Sequence, residues 1–251
     1  MKKYGILLCA YNTADYIDDC LESFIGDDRF VISAVSVPFL EYRSQEDLND
    51  GTTDKLREYL NKGDIHNLVD RPKFIKEHEA RNLALKFLKD SGVDYIFIVD
   101  SDEIYSKEDL DNIVEWVENN PANWYRVCLK NYVFDKDTYL ADPFDPPRIF
   151  TVNSGNLMLA NMYWDNDFLF FNTDTNQLLK YTDVKNNLRI PKEVAWVTHY
   201  SWMNDEIGKR KVEYQQNHFG HSSFKWDKNN GLTFDENYYK MIGEDVPKTL
   251  I

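Results

Sequence analysis

The sequence predicts an α/β fold with a mostly parallel sheet flanked by helices in its first half and antiparallel strands in its second. Three observations carry that expectation. Short apolar, β-branched runs alternate with helical spacing through the first half, the pattern of a parallel sheet. From Trp124 to Phe171 the chain is aromatic-rich and strand-like. Between them Tyr95-Ile96-Phe97-Ile98-Val99 is continuously apolar and stops at Asp100, Asp102 and Glu103, as a strand covered on both faces would where it reaches the ligand edge of the sheet.

The elements follow in order. Residues 6–10 read as a first buried strand ending at Tyr11-Asn12, with Asn12 or Thr13 placed to cap the next helix. Tyr16, Ile17, Cys20, Leu21 and Phe24 give that helix its apolar stripe. A second strand covers 30–37 and closes at Pro38. A polar loop, 41–50, leads through Gly51-Thr52-Thr53-Asp54 into a helix over 54–61. Residues 67–70 read as a short strand, and 76–90 as a helix with Ala80, Leu83, Ala84, Phe87 and Leu88 on one face. After the strand at 95–99, a helix over 107–119 begins near Ser106, and Glu103, Glu108 and Asp109 read as acids at its positive end. Antiparallel strands are expected at the sheet's other edge, interrupted at Asp142-Pro143-Phe144-Asp145-Pro146-Pro147. A last strand over 195–200 and a helix over about 205–217, capped by Asn204 with Ile207 and Val212 buried, complete the pattern. Neither a repeat nor a long linker divides the chain. One domain over 1–251 is expected, with halves of about 1–120 and 121–220 and a tail over 221–251.

Composition narrows the function classes. A net charge of −14 disfavours broad binding of nucleic acid or anionic membrane. Three cysteines, Cys9, Cys20 and Cys128, form neither a metal spacing nor an even disulfide set, which fits a reducing, cytoplasmic setting. No run approaches the roughly 18 apolar residues of a membrane-spanning helix.

The acids at the strand end carry the chemistry. Asp100 and Asp102 are two apart, so on extended backbone they leave one face roughly 6–7 Å apart. A turn there lets both approach one hard cation with oxygen ligands at about 2.0–2.2 Å. A buried strand end seldom tolerates unpaired carboxylates, which favours the cation over a plain strand-to-helix junction.

These pieces resemble family 2 glycosyltransferases of GT-A fold, with a Rossmann-like donor half and an acceptor half. Cys9-Ala10-Tyr11-Asn12 is similar to the family's Pro-x-Tyr-Asn start, and Asn49-Asp50-Gly51-Thr52-Thr53-Asp54 to its Asp-Asp-Gly-Ser-Thr-Asp turn. Ala80-Arg81-Asn82 resembles its Ala-Arg-Asn helix, and Val99-Asp100-Ser101-Asp102-Glu103 its Asp-x-Asp signature. His199-Tyr200-Ser201-Trp202 with Arg210 and Lys211 is similar to its late histidine and basic helix, so the likeness runs over roughly 4–215. In the family the Asp-Asp-Gly-Ser turn directly ends the second strand, whereas here residues 38–49 intervene, so either Asp50 or Glu41 makes the base and ribose contact.

The resemblance implies a metal-dependent glycosyltransferase moving a sugar from a nucleoside diphosphate sugar to an acceptor hydroxyl with inversion. It implies Mn2+ or Mg2+ held by Asp102, Asp100 and His199, with Asp100 also facing the ribose or a metal-bound water. A hydrogen-bonded core histidine is the competing reading of His199. Donor contacts are expected from Ala10, Tyr11, Asn12, Glu41 or Asp50, Arg81, Asp100, Ser101, Arg210 and Lys211, while Lys209 reads equally as a solvated face. Zinc on His199, His218 and His221 lacks a Cys or carboxylate at ligand spacing. Inversion needs a carboxylate base, and Asp165 or Asp167 in Tyr163-Trp164-Asp165-Asn166-Asp167 is the expected one, against a plain polar turn. Acceptor candidates are a glycan, a protein, a lipid head group or a modified DNA base. The competing classes are a GT-A-like nucleotidyltransferase, disfavoured because Asn12-Thr13-Ala14-Asp15 has no glycine, and a non-catalytic sugar-nucleotide-binding module.

Overall fold

A computed structural model describes residues 2–39, 50–70, 75–135, 137–140, 145–152, 157–163, 167–172, 177–180, 187–202, 205–222, 224–227 and 231–237. The chain forms two compact units, one of Met1–Cys128 with Asp145–Val197 and the other of Leu129–Phe144 with Thr198–Ile251.

The first unit is built on a seven-stranded sheet. Its strands are β1 (Tyr4–Cys9), β2 (Phe30–Ser36), β3 (Asn67–Asp70), β4 (Tyr95–Asp100), β6 (Trp124–Arg126), β8 (Pro147–Thr151) and β12 (Asn187–Arg189), in the order β12-β6-β8-β4-β1-β2-β3. The pairs β1–β2, β2–β3 and β1–β4 are parallel, and β8 runs antiparallel between β4 and β6. From β1 the chain moves outward to β2 and β3, then returns to lay β4 on the other side of β1. That reversal puts the topological switch point between the carboxyl ends of β1 and β4, where open α/β sheets bind ligands. Cys9 pairs with Asp100 at that point.

Central position explains the residue choice. All six residues of β1 are buried, as are the first five of β4, while the edge strand β3 is mostly half-buried. A Cβ at Gly5 would come within 3.1 Å of Leu88 and Val93 side chains, so glycine there lets the helix α3 (Glu77–Asp90) approach β1. Trp124 stacks on Phe150 at 5.0 Å and joins Leu7, Ile96, Ile98, Ala84 and Leu88 in one core. The remaining helices of this unit are α1 (Ile17–Glu22), α2 (Thr52–Lys62) and α4 (Lys107–Asn119), and β5 (Glu103–Ile104) is a short strand after β4. A three-stranded antiparallel sheet of β9 (Leu157–Tyr163), β10 (Asp167–Asn172) and β11 (Gln177–Lys180) lies between β8 and β12 in the chain.

The second unit contains β7 (Leu129–Val133), most of β13 (Val197–Trp202), α5 (Asp205–Phe219), β14 (Phe224–Asp227) and β15 (Gly231–Phe234). Val133, Val212 and Phe224 form its small core, with Phe224 stacked on Phe234 at 4.9 Å.

Four local expectations are corrected. Neither Asn12 nor Thr13 caps α1, which starts at Ile17 after Tyr16 without a side-chain cap. Asn12 adopts a left-handed φ of 56°, which asparagine tolerates better than most residues, and the Thr13 and Ala14 amides turn to Thr52 and Asp50 instead. The buried face of α3 is Glu77, Ala80, Arg81, Ala84, Leu85 and Leu88, leaving Leu83 exposed, because ion pairs draw Arg81 inward. The strand at 195–200 begins at Val197, because Val194 and Ala195 amides are consumed in a turn on Pro191 and Trp196 donates to Asp109. Glu103 does not serve the end of α4. Ser106 caps that helix by accepting from the Asp109 amide, with Glu108 and Asp109 in the first turn as expected, while Glu103 is buried elsewhere. Asn204 lies outside the described residues.

Candidate active site

Asp100 ends β4 at the switch point, and each of its carboxylate oxygens faces a guanidinium. Oδ1 accepts from Arg81 Nη2 at 2.9 Å and Oδ2 from Arg148 Nη2 at 3.0 Å. Arg81 reaches it from α3, one turn beyond Glu77, whose Oε1 accepts from Arg81 Nε at 2.9 Å. Arg148 reaches it from β8, and its Nε also donates to Glu103 at 2.8 Å and 3.1 Å. A continuous chain of charges, Glu77–Arg81–Asp100–Arg148–Glu103, therefore runs beneath the turn Ser101-Asp102. Glu77, Arg81, Glu103 and Arg148 are buried, while the Asp100 side chain keeps 32% exposure.

Burial alone would raise the Asp100 carboxyl, but Arg148 and then Arg81 overcome it and hold the group below the ordinary carboxylate value. Asp100 is thus anionic at neutral pH. An ionised carboxylate offers about four lone-pair sites, so two charge-assisted bonds leave it room for a ligand. Among the described residues the buried Arg81 Nη1 has no hydrogen-bond partner, which leaves a spare donor on that guanidinium. Asp102 is half-buried on the turn itself, and Ser101 is buried with its amide on the Cys9 carbonyl at 3.1 Å.

The β1–α1 loop forms the neighbouring edge. The Ala10 amide donates to Val35 at 2.9 Å, and Tyr11 and Asn12 follow half-buried. Asp50 braces this loop: Oδ2 accepts from the Ala14 amide at 2.8 Å, and Oδ1 from the Thr52 amide at 3.0 Å and hydroxyl at 2.6 Å. Lys55 adds bonds to the Ala14 carbonyl and to Asp18, both at 2.8 Å. Glu41 lies outside the described residues. Burial pushes the Cys9 thiol up to about 12, so it is inert as a nucleophile.

The other expected residues divide as follows. His199 belongs to the second unit, where its Nδ1 lies 2.5 Å from Asn131 Oδ1. With that oxygen accepting, Nδ1 is the donor of the pair. Arg210 and Lys211 lie in α5, with Lys211 half-buried, and Lys209 sits over the Trp226 ring at 4.9 Å. Asp167 opens β10 opposite Tyr163, and Asp165 lies outside the described residues. Among the described residues no group of three or more His, Cys, Asp or Glu is gathered to hold a metal. The donor set of the Asp100–Asp102 turn, carboxylate oxygens at a half-exposed strand end, nonetheless suits a hard divalent cation.

Sequence reasoning missed Arg148 and the true place of Glu103. The available signal was an arginine inside the apolar run Pro147-Arg148-Ile149-Phe150, since a charge in a buried strand demands a partner.

Residues 5–188 match glycosyl transferase family 2. No curated protein gives a significant match. The chain is similar to the crystal structure of S. aureus TarS 1–349, with a TM-score of 0.52 and 15% identity over 88% of this chain and 72% of that one. The complex of TarS 1–349 with UDP-GlcNAc gives a TM-score of 0.53 at 16% identity, over 86% of this chain and 67% of that one. The mannosyltransferase PcManGT from Pyrobaculum calidifontis, in complex with GDP-Man and Mn2+, gives 0.52 at 13% identity, over 87% and 63%. The chain spans only 44% of the longer S. aureus TarS structure.

Proposed function

Because the chain belongs to glycosyl transferase family 2, with a GT-A fold, we propose that it moves a sugar from a nucleoside diphosphate sugar to an acceptor hydroxyl, with a divalent cation and with inversion. The observation that carries this reading is the Asp100–Asp102 turn at the switch point, with Asp100 held ionised by Arg81 and Arg148. The nucleotide sugars in the TarS and PcManGT complexes, and the Mn2+ in the latter, support the donor class and the metal.

Asp102 is proposed as the carboxylate ligand of Mn2+ or Mg2+, with Asp100 beside it, and His199 as an imidazole ligand. When bound, the cation supplies charge neutralisation on the leaving diphosphate. The braced loop Ala10–Asn12 is proposed to wall the nucleotide, with Ser101 and the spare Arg81 Nη1 as neighbouring contacts and Glu41 or Asp50 at the base. Arg210 and Lys211 are proposed to meet the diphosphate. Asp165 or Asp167 is proposed to take the acceptor's proton, leaving its oxygen to attack the face opposite the departing nucleotide. The three cysteines are free and buried, and no helix among the described residues is long and apolar enough to cross a membrane. A cytoplasmic site of action is proposed on the first of these.

The test is calorimetry of UDP- and GDP-sugars with and without Mn2+. Asp102→Ala should abolish the metal-dependent affinity while the protein stays folded, and retention of that affinity would sink the assignment. Asp→Asn at the true base should cost about 10²–10⁴ in turnover with donor affinity kept. Normal turnover in both Asp165→Asn and Asp167→Asn would move the base elsewhere, and a product that keeps the donor's anomeric configuration would overturn inversion.

A further inference from the structure

Arg148 is buried, and its one guanidinium reaches two acids of another chain segment. Nε lies 2.8 Å from Glu103 Oε1, and Nη2 lies 3.0 Å from Asp100 Oδ2. Those acids stand at the two ends of the turn that carries Ser101 and Asp102. The turn is also pinned from behind, because the Ser101 amide donates to Cys9 and Asp100 Oδ1 is held by Arg81. Glu103 is fully buried and Arg148 is 6% exposed. A buried ion pair is rarely a better stabiliser than apolar residues of the same volume, so stability alone gives little reason for this arrangement. A planar fork that grips two carboxylates fixes geometry in a way a point charge does not.

We propose that Arg148 is a positioning residue for transfer, clasping Asp100 and Glu103 so that Asp102 is held in the orientation that meets the donor's metal-bound diphosphate. The inference rests on the function proposed above and adds a residue that lies far along the chain from the Asp-x-Asp signature. Glu103 is the far anchor of the clasp, and Asp100 is the near one.

Two readouts on the full chain test it: amide hydrogen exchange over residues 100–105, and calorimetric affinity for UDP or GDP with and without Mn2+. Arg148→Lys keeps the charge and loses the fork. Exchange across the turn should quicken, and the Mn2+-dependent gain in nucleotide affinity should fall about 10–100-fold, the usual cost of losing a group that orients a metal ligand. Nucleotide affinity without metal should stay as in the wild type. If Arg148→Lys does not fold, the double variant Glu103→Gln/Arg148→Gln removes both charges, keeps hydrogen-bonding groups and is read the same way. Unchanged exchange, an unchanged metal-dependent gain, or an equal loss of affinity with and without metal would each overturn the clasp. A wild-type protein without any metal-dependent gain would instead overturn the donor reading. Exchange across the turn would still decide whether Arg148 holds it.

Discussion

Two groups of acids border the carboxyl ends of the central strands, and they live in different solvents. Beneath the Asp102 turn, Glu77 and Glu103 face Arg81 and Arg148 with side-chain exposures of 11%, 0%, 3% and 7%. On the α2 side, Asp18 and Lys55 pair at 46% and 39% exposure, and Asp54 and Arg57 at 63% and 54%. The residue types are the same, yet their energies differ. A buried charge that loses its partner keeps its desolvation penalty, whereas an exposed one is rehydrated by water. The buried group is therefore suited to hold one geometry, and the wet group to brace a loop at low cost.

The largest effect is expected from Arg148→Met, which removes the guanidinium that faces Glu103 in the interior. A loss of about 3–5 kcal/mol is expected in urea denaturation, and Glu103→Leu/Arg148→Met should recover most of it because both charges leave together. A single variant within about 1 kcal/mol of wild type would mean that the network is wet after all.

Acid titration comes next. Hydrogen bonds from Arg29 and then Lys107 hold Asp27 below its ordinary value of 3.8 against the opposing effect of burial, and Arg148 and Arg81 do so for Asp100. The folded state then binds fewer protons than the unfolded state at low pH. The stability from these carboxylates is present above pH 3.8 and is lost as pH falls through the lowered values. Thermal melts should show Tm falling on that limb, and Asp27→Asn should flatten it. A Tm independent of pH across the limb would contradict the ionised pairing.

Asp50→Ala removes the acceptor shared by Thr52 and Ala14. About 1–2 kcal/mol is expected in the same denaturation assay, in the range of a lost helix cap. Smallest is Lys55→Met, whose exposed pair with Asp18 should contribute about 0–1 kcal/mol. That increment should shrink in high salt, which screens exposed charges. A larger loss would move the α2 side toward the buried class.

Much of the fold was legible because its signals are local. The apolar runs at β1, β2 and β4 and the stripe of α1 are set by residues a few positions apart, and the structure returns those elements with shifts at their ends. Asp100 and Asp102 were legible for the same reason, as charges placed abruptly where a buried strand stops. Leu83 and Leu85 mark where locality failed. Both fit a helical stripe, and what turned α3 was the pairing of Arg81 with Glu77 and Asp100.

Burial periodicity and strand termination are written within a few residues, so the alternation of elements, the central strand and the acids at its end were readable along the chain. The tertiary structure alone decided which charges would meet. Arg148 pairs with Glu103 and Asp100 across 45 and 48 residues of chain. It does so because β8 enters antiparallel beside β4, bringing the start of one strand to the end of the other. No local pattern encodes that register. It follows from which strand fills the place between β4 and β6, and in a dry interior that neighbour determines whether an acid is a liability or half of an ion pair.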